Sequence, residues 1–271
     1  MQLNDPYSFH LEGTNGKGIL LIHGLTGIPA EMKLVARQMH RQGYSVYAPL
    51  LAGHGVDVAT LIQTGWQDWL KSVVDAAAEF RKTVSSVSTA GICVGGKLGM
   101  LAANQRPDLI QSTAIYSTCF RYDGWNVPWY YKLAPLGLPL MLKFPWWRHM
   151  TYPETESLGI KDARMREYMA GSETEGVIDQ FPALSLLQML RLGDVLKQSL
   201  PKLTQPALIL HASEDDLSSP RNAKILARGI KAPHELHFIE DSYHMIHVDK
   251  HHRKVAAMTT DFFARHAVAT A

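Results

Sequence analysis

The stretch Gly91-Ile92-Cys93-Val94-Gly95-Gly96 constrains the fold of this chain more than any other. It reads G-x-C-x-G, follows the short strand-like run Ser88 to Ile92, and opens onto Val94 to Gln105, a run rich in helix formers. A strand, a tight turn and a helix in that order place Cys93 at the tip of the turn. Such a turn forces its central residue into a strained conformation, and side chains at the flanking positions would collide with the neighbouring strand and helix. Gly91 and Gly95 remove those collisions. The helix then points its free amides and positive dipole end at the sulfur, which favours thiolate over thiol.

The runs around this turn alternate. Gly18 to Ile22, Ser45 to Ala48, Ser112 to Ser117, Ala207 to Ala212 and His234 to Ile239 are strand-like. Between them lie helical stretches from Pro29 to about Gln42, Trp66 to Phe80 and Pro220 to about Arg228, with a closing helix to about His266. Trp66, Trp69, Leu70, Val73, Val74, Ala77 and Phe80 fall at helical spacing and read as core. Alternation of this kind predicts an α/β fold with a mostly parallel, doubly wound sheet. The Asn15-Gly16 pair, ahead of the apolar run Gly18 to Ile22, predicts a hairpin, so the first strands are expected to be antiparallel.

From Thr118 to about Leu200 the alternation stops. This segment holds Trp125, Trp129, Tyr130, Tyr131, Phe144, Trp146 and Trp147 among several prolines. Residues 118–200 are therefore expected to form an inserted, mainly helical cap on a core of residues 1–117 and 201–271. The apolar stretch Leu133 to Leu142 is too short to span a membrane and is broken by Pro135 and Pro139. A lid over an apolar substrate cleft is the favoured reading, and association with a membrane surface the lesser one. Ala183 to Leu196, following Pro182, has a broad apolar face and predicts a packed helix.

With a formal net charge of +2 in 271 residues, no nucleic-acid partner is expected. Met1 to His10 is polar and lacks the apolar core of a signal peptide, which predicts a cytoplasmic protein. Two cysteines, Cys93 and Cys119, do not make a disulfide framework and lack metal-ligand spacing. His244, His247, His251 and His252 lie close together. However, His251 and His252 sit among Lys250, Arg253 and Lys254 on what reads as a solvated face, so neither a metal nor another cofactor is expected.

Taken in order, His23-Gly24-Leu25-Thr26-Gly27, Gly53-His54-Gly55, Thr64-Gly65 with Asp68-Trp69, the Cys93 turn, Ala212 to Pro220, and His244 make the chain similar to the α/β-hydrolase superfamily. The likeness is to its bacterial carboxylesterase and monoacylglycerol-lipase branch, and it covers nearly all of the chain outside the cap. The resemblance implies that Cys93 is the nucleophile, Asp215 the acid and His244 the base, in the chain order that this fold uses. Asp216 is the rival acid, and a solvated turn is the alternative for both aspartates. The backbone amides of Leu25 and Val94 would form the oxyanion hole. In this family residues such as His23 and His54 usually brace loops. Lys97 either helps to hold a thiolate, contacts an acyl carrier or is simply solvated. Cys119 should lie near Cys93 at the carboxyl edge of the sheet, though a small buried apolar residue is the favoured reading.

Most relatives carry serine where this chain carries Cys93. A thiolate attacks a carbonyl readily, yet it also leaves the tetrahedral intermediate more readily than an alkoxide does, so simple alkyl esters tend to be returned unchanged. Three expectations follow. The first is a hydrolase acting through a Cys-His-Asp triad and a covalent acyl-enzyme on an ester or thioester with an apolar acyl part. The second is an acyltransferase passing that group from a thioester donor to an alcohol, amine or carbon acceptor. The third is a non-catalytic binder. The partner would be a small-molecule acyl substrate, free or attached to a carrier or coenzyme A.

Overall fold

Short apolar runs bounded by turns supply the central strands, because a strand covered by helices on both faces has no polar side to show. The computed structural model describes residues 5–141, 143–147, 149–153, 159–171 and 175–267, leaving aside the side chains at 132, 134, 141, 145 and 153. Its elements begin with β1 (Phe9–Leu11), β2 (Lys17–Ile22), α1 (Lys33–Arg41), β3 (Ser45–Ala48), α2 (Val58–Leu61), α3 (Trp66–Arg81), β4 (Ser86–Ile92), α4 (Val94–Gln105) and β5 (Ile110–Tyr116). After a long excursion come β8 (Ala207–Ala212), α8 (Arg221–Gly229), β9 (His234–Ile239) and α9 (His252–Arg265). The strands form one sheet in the order β1-β3-β2-β4-β5-β8-β9, parallel throughout except for β1. This is the mostly parallel α/β sheet that the alternation predicts, in the α/β-hydrolase arrangement that the resemblance implies.

The hairpin expectation fails in its pairing. β1 pairs antiparallel with β3, in register Phe9 to Ala48, and does not touch β2 in the sheet. The amides of Thr14 and Asn15 donate to the Gly43 carbonyl at 2.7 and 2.9 Å, and Gly13 N donates to Ser45 Oγ at 2.9 Å. With Gly16 at φ 72°, the turn carries the chain across the start of β3 and into β2. The place beside β2 is taken by β3, returned there by the parallel crossover through α1, so a local hairpin has no edge to occupy.

The helices behave as their spacing predicts. In α3 the side chains of Trp69, Val73, Ala77 and Phe80 are fully buried, and Asp68 Oδ2 accepts from Gly65 N at 2.9 Å to close the first turn. Three or four residues apart, these positions make one continuous stripe against β2 and β4.

The segment between β5 and β8 holds a 3-10 turn (Trp129–Leu133), α5 (Ala134–Met141), a second 3-10 turn (Pro145–Trp147), β6 (Thr151–Pro153), α6 (Ala163–Ala170), β7 (Gln180–Pro182) and α7 (Ala183–Ser199). β6 and β7 pair antiparallel, a small sheet that the sequence does not announce. Each strand has three residues and ends in proline, too short to show an alternating pattern. Leu142, the end of the apolar stretch, lies outside the described residues. Among the described residues no helix is long and apolar enough to cross a membrane.

Candidate active site

Cys93 stands at φ 50°, ψ −106°, between the end of β4 and the start of α4. A residue with a Cβ pays for this conformation, and the surroundings hold it there. Cys93 N donates to Tyr116 O on the adjacent strand at 2.9 Å, and the Cys93 carbonyl accepts from Lys97 N at 3.2 Å to begin the helix. The neighbouring glycines are required by contact. A Cβ on Gly91 would stand 2.7 Å from Gly96 N and 2.8 Å from Ile22 O, and one on Gly95 would overlap the carbonyl oxygens of Ile22 and His23. These are backbone atoms of β2 and its exit loop, which cannot move aside without opening the sheet.

The ends of β8 and β9 bring Asp215 and His244 to this turn. His244 Nδ1 lies 2.9 Å from Asp215 Oδ2 and 3.1 Å from Oδ1, and His244 lines the same cavity as Cys93, each shifting the other's ionisation. With Nδ1 engaged by the carboxylate, Nε2 is the nitrogen left for sulfur. Asp215 is itself held by Ser218 N at 2.7 Å, Leu217 N at 3.0 Å and Ser218 Oγ at 3.2 Å, while His211 Nε2 stands 3.4 Å away. Asp216 does something else. Its Oδ1 accepts from the backbone amide of His244 at 3.2 Å, so one aspartate aims the ring and the next fixes the main chain. Both are buried, which rules out the solvated turn.

The loop after β2 completes the arrangement. His23 Nδ1 meets Gly24 O at 2.9 Å, and His23 Nε2 accepts from Leu51 N at 3.1 Å. The Gly24 carbonyl and the Leu25 N–H share one peptide plane. Pinning that carbonyl therefore fixes the direction of the Leu25 amide. His54 Nε2 reaches Leu25 O at 2.6 Å, and Glu31 Oε1 accepts from Gly24 N at 2.7 Å. His23 and His54 thus brace the loop, as the resemblance implies. Leu25 lines the same cavity as Cys93, and Val94 begins α4.

Two further residues lie directly behind Cys93. Cys119, just past β5, is fully buried, its Sγ donating to Arg121 O at 3.5 Å, and it lies close enough to Cys93 to shift that thiol's ionisation. Lys97 is fully buried, with Nζ donating to Cys119 O at 2.8 Å and to Met189 O at 3.4 Å. This overturns the solvated reading of Lys97 and leaves it no face to offer an acyl carrier. The signal was present in the sequence, since Lys97 is the sole charged residue in an otherwise apolar helix.

These contacts set the charges. The Cys119 thiol, then His244 and Lys97, hold the Cys93 thiol well below the usual thiol range against the opposing effect of burial. Burial depresses His244, but Asp215 and Cys93 outweigh it and hold the ring well above the ordinary imidazole range. Cys119, buried beside the Cys93 sulfur, is pushed well above its ordinary value. These directions favour a thiolate on Cys93 and a proton on the His244 ring, with the Cys119 thiol kept neutral. Replacing Cys119 by alanine removes that thiol, and the Cys93 pKa must rise toward the ordinary thiol value. The thiolate would then be lost at a higher pH as pH falls. The rate of Cys93 alkylation by iodoacetamide is expected to follow, its midpoint moving to higher pH.

Cys93 and His244 open into a cavity of about 200 Å³, with Leu25, Ile92, Tyr122, Phe181, Leu217 and Met245 among its walls. A second, strongly apolar cavity of about 260 Å³ lies under α5 and α7, walled by Tyr130, Tyr131, Leu133, Leu138, Tyr152, Leu186 and Leu190. Tyr122 borders both, and a smaller cavity between them shares Tyr122, Phe181 and Leu217 with the first and Tyr131, Tyr152 and Leu186 with the second.

The family model described as Serine aminopeptidase, S33 (Hydrolase_4) matches residues 14–251. The chain belongs to this family. This Hydrolase_4 member is 28% identical to a thermostable monoacylglycerol lipase of Bacillus sp. (strain H-257) over 251 residues, covering 92% of this chain and 91% of the relative. It is 23% identical to a carboxylesterase of Bacillus subtilis (strain 168) over 256 residues, covering 92% and 93%. Among solved structures, a lipolytic enzyme of the metagenome-derived LipS and LipT pair superimposes with a TM-score of 0.80 at 24% identity, over 98% of this chain and 100% of the other. The monoacylglycerol lipase of Paleococcus ferrophilus gives 0.79 at 16% identity, over 98% and 100%. By fold and family, the chain is a hydrolase of the esterase and lipase type.

Proposed function

We propose that this protein cleaves an ester or thioester with an apolar acyl part through a Cys93-His244-Asp215 triad, with residues 118–200 as the cap over its acyl site. The observation that carries this reading is Cys93 in strained elbow geometry, sharing a cavity with His244, whose ring Asp215 holds at 2.9 Å. The thiolate attacks the acyl carbon, and the carbonyl electrons move onto oxygen, where the amides of Leu25 and Val94 receive them. Collapse breaks the bond to the leaving alcohol or thiol, which takes its proton from the His244 imidazolium. A thioester between the acyl group and Cys93 remains. Water, giving its proton to the now neutral His244, attacks that thioester and releases the acid and the thiolate.

The sulfur narrows the substrate. A thiol leaving group competes evenly with the Cys93 thiolate in the tetrahedral intermediate, whereas an alkoxide does not, so thioesters and activated esters are the better donors. Acyl transfer is the second reading, because a thioester acyl-enzyme passes its group to an alcohol, amine or carbon acceptor as well as to water. Incubation with panels of acyl-thioesters and esters, followed by intact-mass measurement, tests both. An acyl adduct on Cys93 that forms faster from thioesters is expected. Its decay to free acid alone supports hydrolysis, and decay to an acylated acceptor supports transfer. No adduct with any donor removes both readings in favour of a binder.

A further inference from the structure

We propose, resting on the acyl-enzyme reading above, that a cavity of about 460 Å³ beside the acyl site binds a carboxylate at the far end of the acyl chain. The substrate is then a thioester or ester of a dicarboxylic acid. The loop after β5 gives this cavity Arg121 and Asp123, and the run into α8 gives it Ser219 and Arg221. Neither guanidinium has a hydrogen-bond or ion-pair partner among the described residues. A buried frame places the pair. Asn222, 1% exposed, accepts at Oδ1 from Phe120 N at 2.9 Å and from Arg121 N at 3.0 Å. Its Nδ2 donates to Asp123 Oδ1 at 2.8 Å and to Ser219 O at 3.0 Å. Asp123 accepts further from Ser219 N at 2.9 Å and Ser219 Oγ at 2.8 Å. These bonds tie the backbone of Arg121 to the residue after Arg221, although the two arginines come from opposite ends of the cap insertion. They also occupy both oxygens of Asp123, so that carboxylate serves the frame. Two guanidiniums against one carboxylate leave the cavity with a net positive charge.

The neighbouring cavities decide which part of a substrate carries the anion. Tyr131 and Leu190 wall both this cavity and the 260 Å³ apolar one, and Tyr122 walls these two and the catalytic cavity as well. An acyl chain on Cys93 therefore passes over apolar side chains before it meets the arginines. The departing thiol or alcohol lies elsewhere. It takes its proton from His244, and neither His244 nor Met245 borders the arginine cavity, whereas both border the catalytic one. The chemistry of the two cations selects a carboxylate. A guanidinium offers parallel N–H donors that match the two oxygens of a carboxylate, and the apolar cap walls exclude the water that would otherwise compete. A neutral chain end would leave both guanidiniums without an acceptor from the ligand.

Two measurements test it, one of them independent of turnover. In calorimetric titration of the wild-type protein, suberic acid monoamide should bind about tenfold more tightly than octanamide, as one charge-assisted contact to a guanidinium provides. Arg121→Met and Arg221→Met should each bring that ratio toward one. Both side chains are exposed, so each variant should keep the wild-type circular dichroism spectrum, and if one does not fold the other decides. In turnover, N-acetylcysteamine thioesters of adipic, suberic and sebacic acids should exceed the hexanoyl, octanoyl and decanoyl thioesters in kcat/KM, with the difference mainly in KM. The same two substitutions should remove that preference. Equal binding of the two amides by the wild type would overturn the proposal, as would a preference that both variants retain. A preference between the amides without cleavage of any thioester would keep the carboxylate site and sink the proposed reaction. If the amides bind equally and the arginine variants lose turnover of octanoyl-coenzyme A alone, the cavity takes the phosphates of the departing thiol and the acyl-end assignment falls.

Discussion

Cys93→Ala is expected to lower kcat/KM for an acyl-thioester by about 10⁴-fold or more, since removing the nucleophile of a covalent mechanism leaves only binding and the oxyanion site. Cys93→Ser is the more informative change. A serine enzyme needs a neutral histidine to strip a high-pKa hydroxyl, whereas here the His244 pKa is raised and the Cys93 pKa lowered, which favours the ion pair. Behind the sulfur stand the Cys119 thiol and a fully buried lysine, both of which favour an anion on Cys93. A serine hydroxyl is neutral at rest and gains little from them. The serine variant should therefore retain no more than about 1% of wild-type thioester turnover, and it should not surpass the wild type on short p-nitrophenyl esters. Stopped-flow measurement of acylation with both substrates checks this. A serine variant faster on esters would mean that the site is arranged for an oxygen nucleophile and that the surroundings of the sulfur are incidental.

The second large effect separates the two aspartates. Asp215→Asn keeps the shape but loses the charge that holds the His244 ring in place and protonated, and kcat/KM should fall by about 10²-fold or more. The pH profile should move with it. In the wild type the imidazolium needed to protonate the leaving group disappears as pH rises through the raised His244 pKa. Without the carboxylate that pKa falls, so the alkaline limb should shift to lower pH. Asp216→Asn should cost only a few-fold, because the backbone amide of His244 needs an oxygen acceptor at 3.2 Å, which asparagine still supplies. Steady-state profiles of the two variants side by side would show it. Equal losses, or a larger loss at Asp216, would move the acid to the neighbouring position.

Much of this arrangement was legible before any coordinates. The elbow could be read from Gly91 and Gly95 because the constraint is local, a matter of which residues tolerate φ 50° next door and two backbones in contact. The order Cys93, Asp215, His244 could be read because each follows its own apolar run, and parallel strands place their carboxyl ends on one side. The strand runs and the stripe of α3 were legible for the same reason, since periods of two and 3.6 belong to single segments.

What the sequence by itself determined, then, is everything that depends on residues near one another in the chain: the elbow, the helices, the central strands and the mostly parallel sheet they imply. Tertiary structure alone decided which distant groups meet. It put β3 rather than β1 beside β2, because a crossover claimed that edge before a local turn could. It paired the three-residue strands β6 and β7, whose pattern is too short to read. It also buried Lys97 and set its Nζ on the carbonyls of Cys119 and Met189, contacts made across neighbouring strands and through α7. Its place as the one charged residue of α4 hints at burial, but what packs over it is decided only when distant segments meet.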